Sequence, residues 1–384
     1  MIPHPITRRH ILDAIKRIDA EGVPAAHQST KFDLLYEGKY YPPKYVLALA
    51  HVFVDGTELS HKDFSGGDEA NRFLKVRGFT VVKKGEGREK LVEHELDYRK
   101  QMWASLLAKD KPTGVKPALL RELGIYGGAQ GVWVDKTRTA KLTEDGTGVT
   151  VGLLHTGSSY ADDISEDAVL YHYPDTNRPE ARDKSEVDAT KAARRLGLPV
   201  FVIKYPTPNS TRREVHLGWV EDWDDEAGIF LISFGDAPTS KFGREKGDEE
   251  RPFEPFAGQE AGKRLVKVRK GQQKFKFDVI KRYGARCAVC SIDFIELLDG
   301  AHIIPNKAAG SYDARNGLVL CASHHRAFDA GLFAIEPNTL TVHVAPNVRD
   351  KSSLLITLPT LEHLPLKPHF QALEWHWQRW QKMT

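Results

Sequence analysis

The sequence predicts an α+β protein built from several domains. With 384 residues, the chain is longer than one hydrophobic core usually serves. Short strand-like runs fill its middle, whereas a Cys/His motif and an aromatic-rich helix lie towards its end. Two charged stretches that contain Gly separate these parts. We therefore predict three segments, 1–86, 95–240 and 260–384.

The first segment reads as a small α/β module. A helical pattern in RRHILDAIKRIDAEG ends at Gly22, Pro42 and Pro43 open a second helix, and a third helix closes at Gly78 before a strand. KKGEGREK follows as a polar linker. The helices and terminal strand suit a winged-helix-like unit. The stretch YYPPKYVLALA…FSGGDEANRFLKVRGF also resembles an N-terminal module of prokaryotic restriction-type nucleases, and it suggests no chemistry of its own.

The middle segment predicts a curved sheet or barrel with helices on one side. One helix, SEVDATKAARRLG, interrupts its strands and ends at Gly197. The strands are short, apolar or alternating, and bounded by Gly, Pro, Asn and Asp. They are GVWVDK, GVTVGLLHTG, AVLYHYP, LPVFVIKYP, EVHLGWVEDWDD and GIFLISFG.

Composition argues against a membrane or secreted protein. No apolar run approaches the roughly 20 residues that span a bilayer, and the N-terminus lacks the apolar core of a signal peptide. Two of the three cysteines form a C-x-x-C pair, which suits metal binding in a reducing compartment. We expect a cytoplasmic protein.

Positive charge is concentrated between residues 262 and 286. This stretch holds ten Lys or Arg and one acidic residue, although the net charge of the chain is only +3. Such a run favours a polyanionic partner through counterion release, and a solvated helix face is the alternative. The residues expected to follow a DNA backbone are Lys267, Arg269, Lys270 and Lys274.

The Cys/His motif predicts a structural zinc ion. Tetrahedral zinc takes four sulfur or nitrogen ligands, and a C-x-x-C followed by a C-x-x-H supplies them. The long insert and the residues after it carry further reactive groups, and an i, i+4 pair on a helix can share a second metal. The zinc ligands are Cys287, Cys290, Cys321 and His324, and the further groups are Asp299, His302, Asn316, His325 and Asp329.

The phrase AHIIP…NGLVLC…HHRAFDAGLF resembles the HNH, or ββα-metal, nuclease family over about residues 283 to 340. The resemblance implies that His302 is the general base that activates water. It implies that His325 and Asp329 hold a divalent cation, Mg²⁺ or another, against the scissile phosphate. Asn316 would orient the loop that carries His302, or act at the metal.

One departure leaves the catalytic metal ligands open. Many members of this family place Asp or His directly before the base, whereas this chain has Ala301. Either Asp299 reaches the metal, or the ion rests on His325, Asp329, phosphate and water.

The stretch LHTGSSYADDISEDAVLYHYPDT resembles the SRA domain, a PUA-like reader that flips 5-modified cytosine out of the duplex. By this resemblance, Tyr160 and Tyr173 sandwich the base and Asp163 accepts the N4 amine beside Asp162. Tyr171 is a rival for Tyr173. The family's YTGSGG is here YPDTNRP, and a related β fold with core tyrosines is the alternative.

Together, these features predict a type IV restriction endonuclease that cuts double-stranded DNA near 5-methyl- or 5-hydroxymethylcytosine. Two alternatives stay open: a nuclease whose middle segment reads sequence, another modification or DNA structure, and a non-catalytic zinc-containing DNA binder. We also expect a homodimer, because one such site cuts one strand. Trp375, Trp377 and Trp380 in the tail helix are the candidate interface.

Overall fold

The computed structural model of the chain contains two compact units, Met1–Lys100 with Asp135–Val149, and Gln101–Val134 with Thr150–Thr384. No helix in the described part of the chain combines the length and apolar character needed to cross a membrane. The structure describes residues 2–383 except 3–4, 37–38, 61–62, 65–66, 85, 129–130, 156–163, 175–178, 208, 240–251 and 257–270.

The first unit begins with the α/β module that the sequence predicts. Helix α1 buries its apolar face and ends at Gly22, whose positive φ of 80° suits glycine. Pro43 occupies the first turn of α2, where its missing N–H costs no helical hydrogen bond. The elements in chain order are α1 Arg8–Glu21, β1 Phe32–Tyr36, β2 Lys39–Tyr41, α2 Pro43–Asp55, α3 Asp68–Val76 and β3 Thr80–Lys83, with sheet order β2-β1-β3.

The polar linker predicted at residues 83–90 is wrong in part, because helix α4, Glu86–Lys109, begins inside it. Its Glu, Lys, Arg and Leu residues are strong helix formers. On this helix Glu95 accepts a hydrogen bond from the fully buried Arg99 at 2.7 Å, and it also pairs with Arg138 at 3.0 Å. Burial of these charges is offset by their pairing.

The second unit contains a six-stranded sheet built from all six predicted strands. Its order is β4-β5-β7-β8-β9-β6, with β5 and β7 parallel and the other pairs antiparallel. The sheet is curled, since the hydroxyl of Tyr171 in edge strand β6 donates to the Leu154 carbonyl in β5 at 3.3 Å. The elements are α5 Pro117–Glu122, β4 Val132–Val134, α6 Lys136–Thr139, β5 Thr150–His155, β6 Ala168–His172, α7 Glu180–Arg195, β7 Val200–Lys204, β8 Glu214–Asp224 and β9 Ile229–Phe234; the short α6 belongs to the first unit.

The same unit continues with the Cys/His segment. Strands β10 and β11 form an antiparallel hairpin that leads directly into helix α9. The predicted tail helix is confirmed as α10, and it packs on its own domain: Trp380 is 8% exposed and its Nε1 donates to the Gly331 carbonyl at 2.8 Å. The elements are α8 Gln272–Tyr283, β10 Leu298–His302, β11 Gly317–Cys321, α9 Ala322–Asp329, β12 Phe333–Ile335, β13 Val342–Val344 and α10 Phe370–Gln381.

Helix α8 joins the curled sheet to the Cys/His segment. Leu170 of β6 and Leu231 of β9 belong to the same hydrophobic core as Phe275 of α8 and Leu320 of β11. At the start of α8 the Gly271 N–H donates to Asp167 Oδ2 at 2.7 Å. The sheet and the Cys/His segment therefore share one core.

Candidate functional site

Four buried side chains form a cluster with the chemistry of a zinc site. The ligand atoms of Cys287, Cys290, Cys321 and His324 all lie within 4.8 Å of one another. Cys321 ends β11 and His324 lies in the first turn of α9, so strand and helix bring the second pair together. Three thiols and one imidazole are a typical set for structural zinc.

The surroundings of these four residues fit a bound metal. His324 Nε2 lies 2.7 Å from the Leu354 carbonyl, so Nε2–H donates there and Nδ1 keeps its lone pair. That Nδ1 is 3.1 Å from the Cys321 sulfur. Burial raises the pKa of Cys290 to about 12 in the protein alone. A coordinated metal would reverse this by deprotonating the thiol.

His302 ends strand β10 and lies in an aromatic setting. Its ring stacks on Phe275 with centroids 3.7 Å apart, and Tyr312 meets it edge-on at 5.2 Å. The side chain is 9% exposed, and Nε2 has no hydrogen-bond partner among the described residues. Burial, and secondarily the charge of His325, lower the His302 pKa to about 4. The imidazole is therefore neutral at pH 7.

Asn316 is fully buried and fixes the chain that follows His302. Its Oδ1 accepts from the Ile304 N–H at 2.9 Å, and its Nδ2 donates to the carbonyls of Ile304 and Ser311 at 3.2 and 2.9 Å. The Asn316 carbonyl also accepts from the Ile303 N–H at 2.9 Å. All these contacts are to backbone, which favours an orienting role over a role at a metal.

His325 lies between two carboxylates. Nδ1 is 3.1 Å from Asp299 Oδ2, and Nε2 is 3.7 Å from Asp329 Oδ2 one helical turn later. Burial alone would lower the His325 pKa, but the hydrogen bond to Asp299 and the charge of Asp329 outweigh it and the pKa is raised. The pair His325 Nε2 and Asp329 is the arrangement that could share a divalent cation.

A cavity of about 80 Å³ lies beside two of these groups. His302 and Asp329 both line it, and so do the cationic side chains of Lys307 and Arg379. Arg379 is on α10 and lies 5.6 Å over the Trp375 ring. An imidazole, a carboxylate and two cations around one small space suit a phosphate diester.

Part of the predicted base pocket can be located. The ring of Tyr173 contacts that of Phe230 at a tilt of 38°, with centroids 4.5 Å apart, and its hydroxyl donates to Asp225 at 2.9 Å. Tyr171 is 7% exposed and bonded inside the curled sheet, so it is a core residue. Tyr160, Asp162 and Asp163 lie outside the described residues.

A second cavity, of about 570 Å³, opens at one edge of the sheet. There β7 ends at Lys204, which is paired with Glu214 of β8 and lies beside His155, the last residue of β5. Lys204 Nζ and His216 Nε2 lie 3.1 and 3.0 Å from Glu214 Oε1. Ile164, the first described residue after 156–163, also lines this cavity.

Of the predicted DNA-backbone residues, only Lys274 is described. It lies on α8 and its Nζ is 2.6 Å from Asp278 Oδ2 in an i, i+4 pair. This contact partly neutralises its charge. Lys267, Arg269 and Lys270 lie outside the described residues.

Comparison with protein families identifies the C-terminal site. Residues 287–336 match the model described as HNH endonuclease. The segment is an HNH endonuclease domain. This is a domain of metal-dependent DNA endonucleases, and its match includes the four zinc-type ligands together with His302, Asn316, His325 and Asp329. Residues 4–83 match a second model, described as ScoMcrA-like, N-terminal head domain.

Two solved structures are similar at low identity. "Modification dependent TagI restriction endonuclease" is 19% identical, with 71% of this chain and 93% of that chain covered and a TM-score of 0.27. "Structure of the Type IV phosphorothioation-dependent restriction endonuclease ScoMcrA" is 12% identical, with 98% and 99% covered and a TM-score of 0.22. These TM-scores are too low to establish a common overall fold. A search of curated proteins found no match.

Sequence reasoning missed two groups of residues around the HNH domain and the sheet. Lys307 and Arg379 line the cavity of the HNH domain, and Arg379 lies on the tail helix, for which the sequence suggests only a dimer interface. Glu214 and His216 lie in a run that the sequence analysis interprets only as a strand, although their i, i+2 spacing already places them on one face of β8.

Proposed function

We propose that this protein is a modification-dependent DNA endonuclease of the type IV restriction class. Its HNH domain would hydrolyse a phosphodiester near a modified cytosine that the curled-sheet segment reads. One observation supports the catalytic part of this proposal: His302 and Asp329 line the same cavity, and His302 Nε2 has no partner among the residues that the structure describes.

The chain's own residues divide the hydrolysis between them. His302 Nε2 takes a proton from a water molecule as the water oxygen bonds to phosphorus. The bond from phosphorus to the 3′ oxygen breaks, and the 3′ oxygen takes up a proton from solvent. His325 and Asp329 would hold a divalent cation, which would supply positive charge to offset the negative charge on the phosphate and on the leaving oxygen. Lys307 and Arg379, which also line the cavity, bind the phosphate oxygens.

The low pKa of His302 suits this role once DNA is bound. In the protein alone burial keeps the ring neutral, so it needs no deprotonation before it acts. A phosphodiester anion in the cavity stabilises the imidazolium and raises the His302 pKa towards neutrality, where a general base is most effective.

We place the reading site at the sheet-edge cavity beside Lys204, Glu214 and His216. His155 and Ile164 flank the stretch with Tyr160, Asp162 and Asp163, and both lie at this edge. The resemblance of that stretch to SRA readers supports a flipped 5-methyl- or 5-hydroxymethylcytosine as the ligand. A carboxylate at the cavity suits the N4 amine of cytosine.

The homodimer remains part of this proposal on symmetry grounds alone. One HNH site cuts one strand, so a double-strand break needs two subunits or two encounters. Because Trp380 is used inside its own domain, the tail helix offers less free surface than its composition suggests. Sedimentation of the free and DNA-bound protein distinguishes the two routes.

A cleavage panel tests the proposal. Each of five matched duplexes is incubated with the protein and either Mg²⁺ or Mn²⁺. The duplexes carry cytosine, 5-methylcytosine, 5-hydroxymethylcytosine, glucosylated hydroxymethylcytosine or a phosphorothioate linkage. We expect cutting of a 5-modified duplex and not of its plain counterpart. Equal cutting of all duplexes would favour a sequence or structure reader, and preference for the phosphorothioate would favour another modification.

Two variants separate catalysis from reading. His302→Ala should abolish cutting and keep binding to the preferred duplex; if it cuts normally, the proposed base is wrong. If the wild-type protein binds DNA but cuts nothing with either cation, the protein is a non-catalytic binder.

Glu214→Gln should weaken binding to modified DNA more than to plain DNA, whereas equal losses would exclude the sheet-edge cavity as the reading site.

A further inference from the structure

The start of helix α8 belongs to the wall of the sheet-edge cavity. Gln273, in the first turn of α8, is 5% exposed and lines this cavity. Ser165 and Glu166, in the segment that leads into β6, line it as well. Two separate segments of the chain therefore contribute to one wall, and a ligand that fills the cavity contacts both of them.

Asp167 joins these two segments, although it does not itself line the cavity. Its Oδ1 accepts a hydrogen bond from Ser165 Oγ at 2.8 Å, and its Oδ2 accepts one from the Gly271 N–H at 2.7 Å. Gly271 precedes α8 with a positive φ of 94°, a conformation that suits glycine. A carboxylate at the start of a helix is also stabilised by the helix dipole. Asp167 therefore fixes the start of α8 to the segment before β6.

The same turn of α8 holds two aromatic rings that contact His302. The Phe275 N–H donates to the Gly271 carbonyl at 2.9 Å, and the Phe275 ring lies 3.7 Å from that of His302 at an angle of 14°. Tyr312 meets the His302 ring edge-on at 5.2 Å, and a Cβ atom at Gly271 would lie 3.6 Å from the Tyr312 ring. The position of Gly271 therefore affects both rings that pack on His302.

From these contacts we infer that Asp167 is a positioning residue for His302, and that a base bound in the sheet-edge cavity raises the rate of cleavage as well as the affinity for DNA. The inference rests on the proposed function. A base that contacts both segments of the wall stabilises the arrangement in which Asp167 holds them together. That arrangement fixes Phe275 and Tyr312, and through them the imidazole that takes the proton.

Small displacements of a general base are sufficient for such an effect. The base must lie within hydrogen-bond reach of the water that it deprotonates. A shift of about 1 Å, even when its cause is far from the reacting atoms, can lower a rate constant by about 100-fold. Because Asp167 is outside the wall of the cavity, its loss should change the rate constant much more than the affinity.

Single-turnover cleavage at saturating protein tests the role of Asp167. The substrate is the duplex that the wild-type protein cuts best, and its Kd is measured by fluorescence anisotropy without added divalent cation. Asp167→Ala should lower the rate constant by about tenfold or more and change Kd by less than about threefold. Asp167→Asn keeps an acceptor for the Gly271 N–H and should recover most of the rate. Asp236→Ala, which changes an exposed aspartate after β9, is the control and should match the wild type.

The Asp167→Ala protein is expected to fold. The Asp167 carbonyl, which the substitution leaves in place, accepts a hydrogen bond from the Phe234 N–H at 2.7 Å. Zinc content and cooperative thermal unfolding check this expectation.

A pair of variants within α8 separates positioning from loss of stability. Phe275 and Phe277 are both buried in the same core, and of the two only Phe275 is stacked on His302 among the described residues. Phe275→Leu and Phe277→Leu should therefore destabilise the protein to a similar extent. Only Phe275→Leu should lower the rate constant at saturation. Equal rate constants for the two variants would contradict a positioning role for the stacked ring.

Comparison of modified and plain duplexes tests the effect of the bound base. At saturating protein, the wild-type rate constant should be about tenfold or more higher on the modified duplex. In Asp167→Ala this ratio should fall towards one, whereas the preference in Kd should remain.

Two results would overturn the inference and leave the proposed function in place. One is a wild-type preference that appears only in Kd, with equal rate constants on both duplexes at saturation. The other is a wild-type rate constant in folded Asp167→Ala. A wild-type protein that binds and cuts all duplexes equally would instead contradict the proposed reader, and Asp167→Ala on such a duplex would still test the positioning of His302.

Discussion

Nδ1 of His325 lies 3.1 Å from Oδ2 of Asp299, while its Nε2 faces Asp329. Asp299 therefore accepts a hydrogen bond from Nδ1–H of His325. This bond fixes the tautomer whose Nε2 presents a lone pair. The alternative left open by the sequence, in which Asp299 itself reaches the metal, is the less favoured of the two. Among the described residues only the Cys/His group brings three or more such ligand atoms together, so the second ion would depend on His325, Asp329, water and phosphate.

Asp299→Asn should lower the rate of plasmid nicking by about 10- to 100-fold, as for loss of an outer-shell partner of a metal-bound histidine. Raising the cation concentration should restore part of the loss. Asp293→Asn, an exposed carboxylate in the same domain, is the control and should be neutral. If Asp299→Asn were as inactive as His325→Ala at every cation concentration, Asp299 would be a direct ligand.

Arg379→Ala should reduce cleavage by about 10- to 100-fold, because one charged donor to the phosphate is lost from the cavity. Arg379→Lys should recover part of that rate. The exposed Lys382, just after α10, provides a control variant of the same charge. Single-turnover kinetics give the measurement, and wild-type rates in Arg379→Ala would remove this residue from the site.

Cys287→Ser should release the structural metal and lower the stability of the HNH domain, because metal binding and folding are coupled. Zinc content by atomic emission and thermal unfolding are the measurements. Ser291→Ala, directly after Cys290, should change neither. A Cys287→Ser protein that kept both its zinc and its melting temperature would show that the four residues do not form the site.

Acid should destabilise the HNH domain through His376. Its ring stacks on Phe328 at 4.2 Å, and burial, then Arg379, lower its pKa from 6.5 to about 4. Between those values the unfolded chain takes up a proton that the folded chain does not, so the free energy of unfolding falls as pH falls. At pH 5 this amounts to about 2 kcal/mol.

Denaturant titrations at pH 7.5 and pH 5 test this effect. The wild-type protein should lose about 2 kcal/mol more than His376→Gln over that interval. His363→Gln changes an exposed histidine and should behave as wild type. Identical losses in wild type and His376→Gln would mean that His376 is not held neutral by the fold.

Local patterns predicted the six strands of the sheet and the Cys/His cluster, but neither helix α4 nor the contacts between distant segments. The C-x-x-C and C-x-x-H spacing predicted a cluster that the fold does assemble. The sequence could not show that Tyr171 is a core residue, because its burial depends on a sheet that curls until β6 contacts β5. Arg379 was missed for a similar reason: it is 77 positions from His302 in the chain, and only the packing of α10 brings it to the cavity.

The shared core predicts that the sheet and the HNH domain unfold together and that cleavage occurs at a fixed distance from the base that is read. Leu170 is 1% exposed and belongs to the core that also contains Phe275 and Leu320. Leu170→Ala should cost about 2–5 kcal/mol, as for other buried leucines. The midpoint temperature of zinc release and that of the change in tryptophan fluorescence should fall by the same amount, although the mutation lies in the sheet.

Leu355→Ala is the control, because Leu355 is 71% exposed and neither signal should move. If Leu170→Ala shifted only the tryptophan signal and left zinc release in place, the two parts would unfold independently. On the preferred modified duplex, the wild-type protein should give one narrow set of cut positions, since strands β6 and β9 of the sheet share a single core with the strand that ends at His302. A broad spread of cut positions in the wild-type protein would contradict the rigid connection even if unfolding were cooperative.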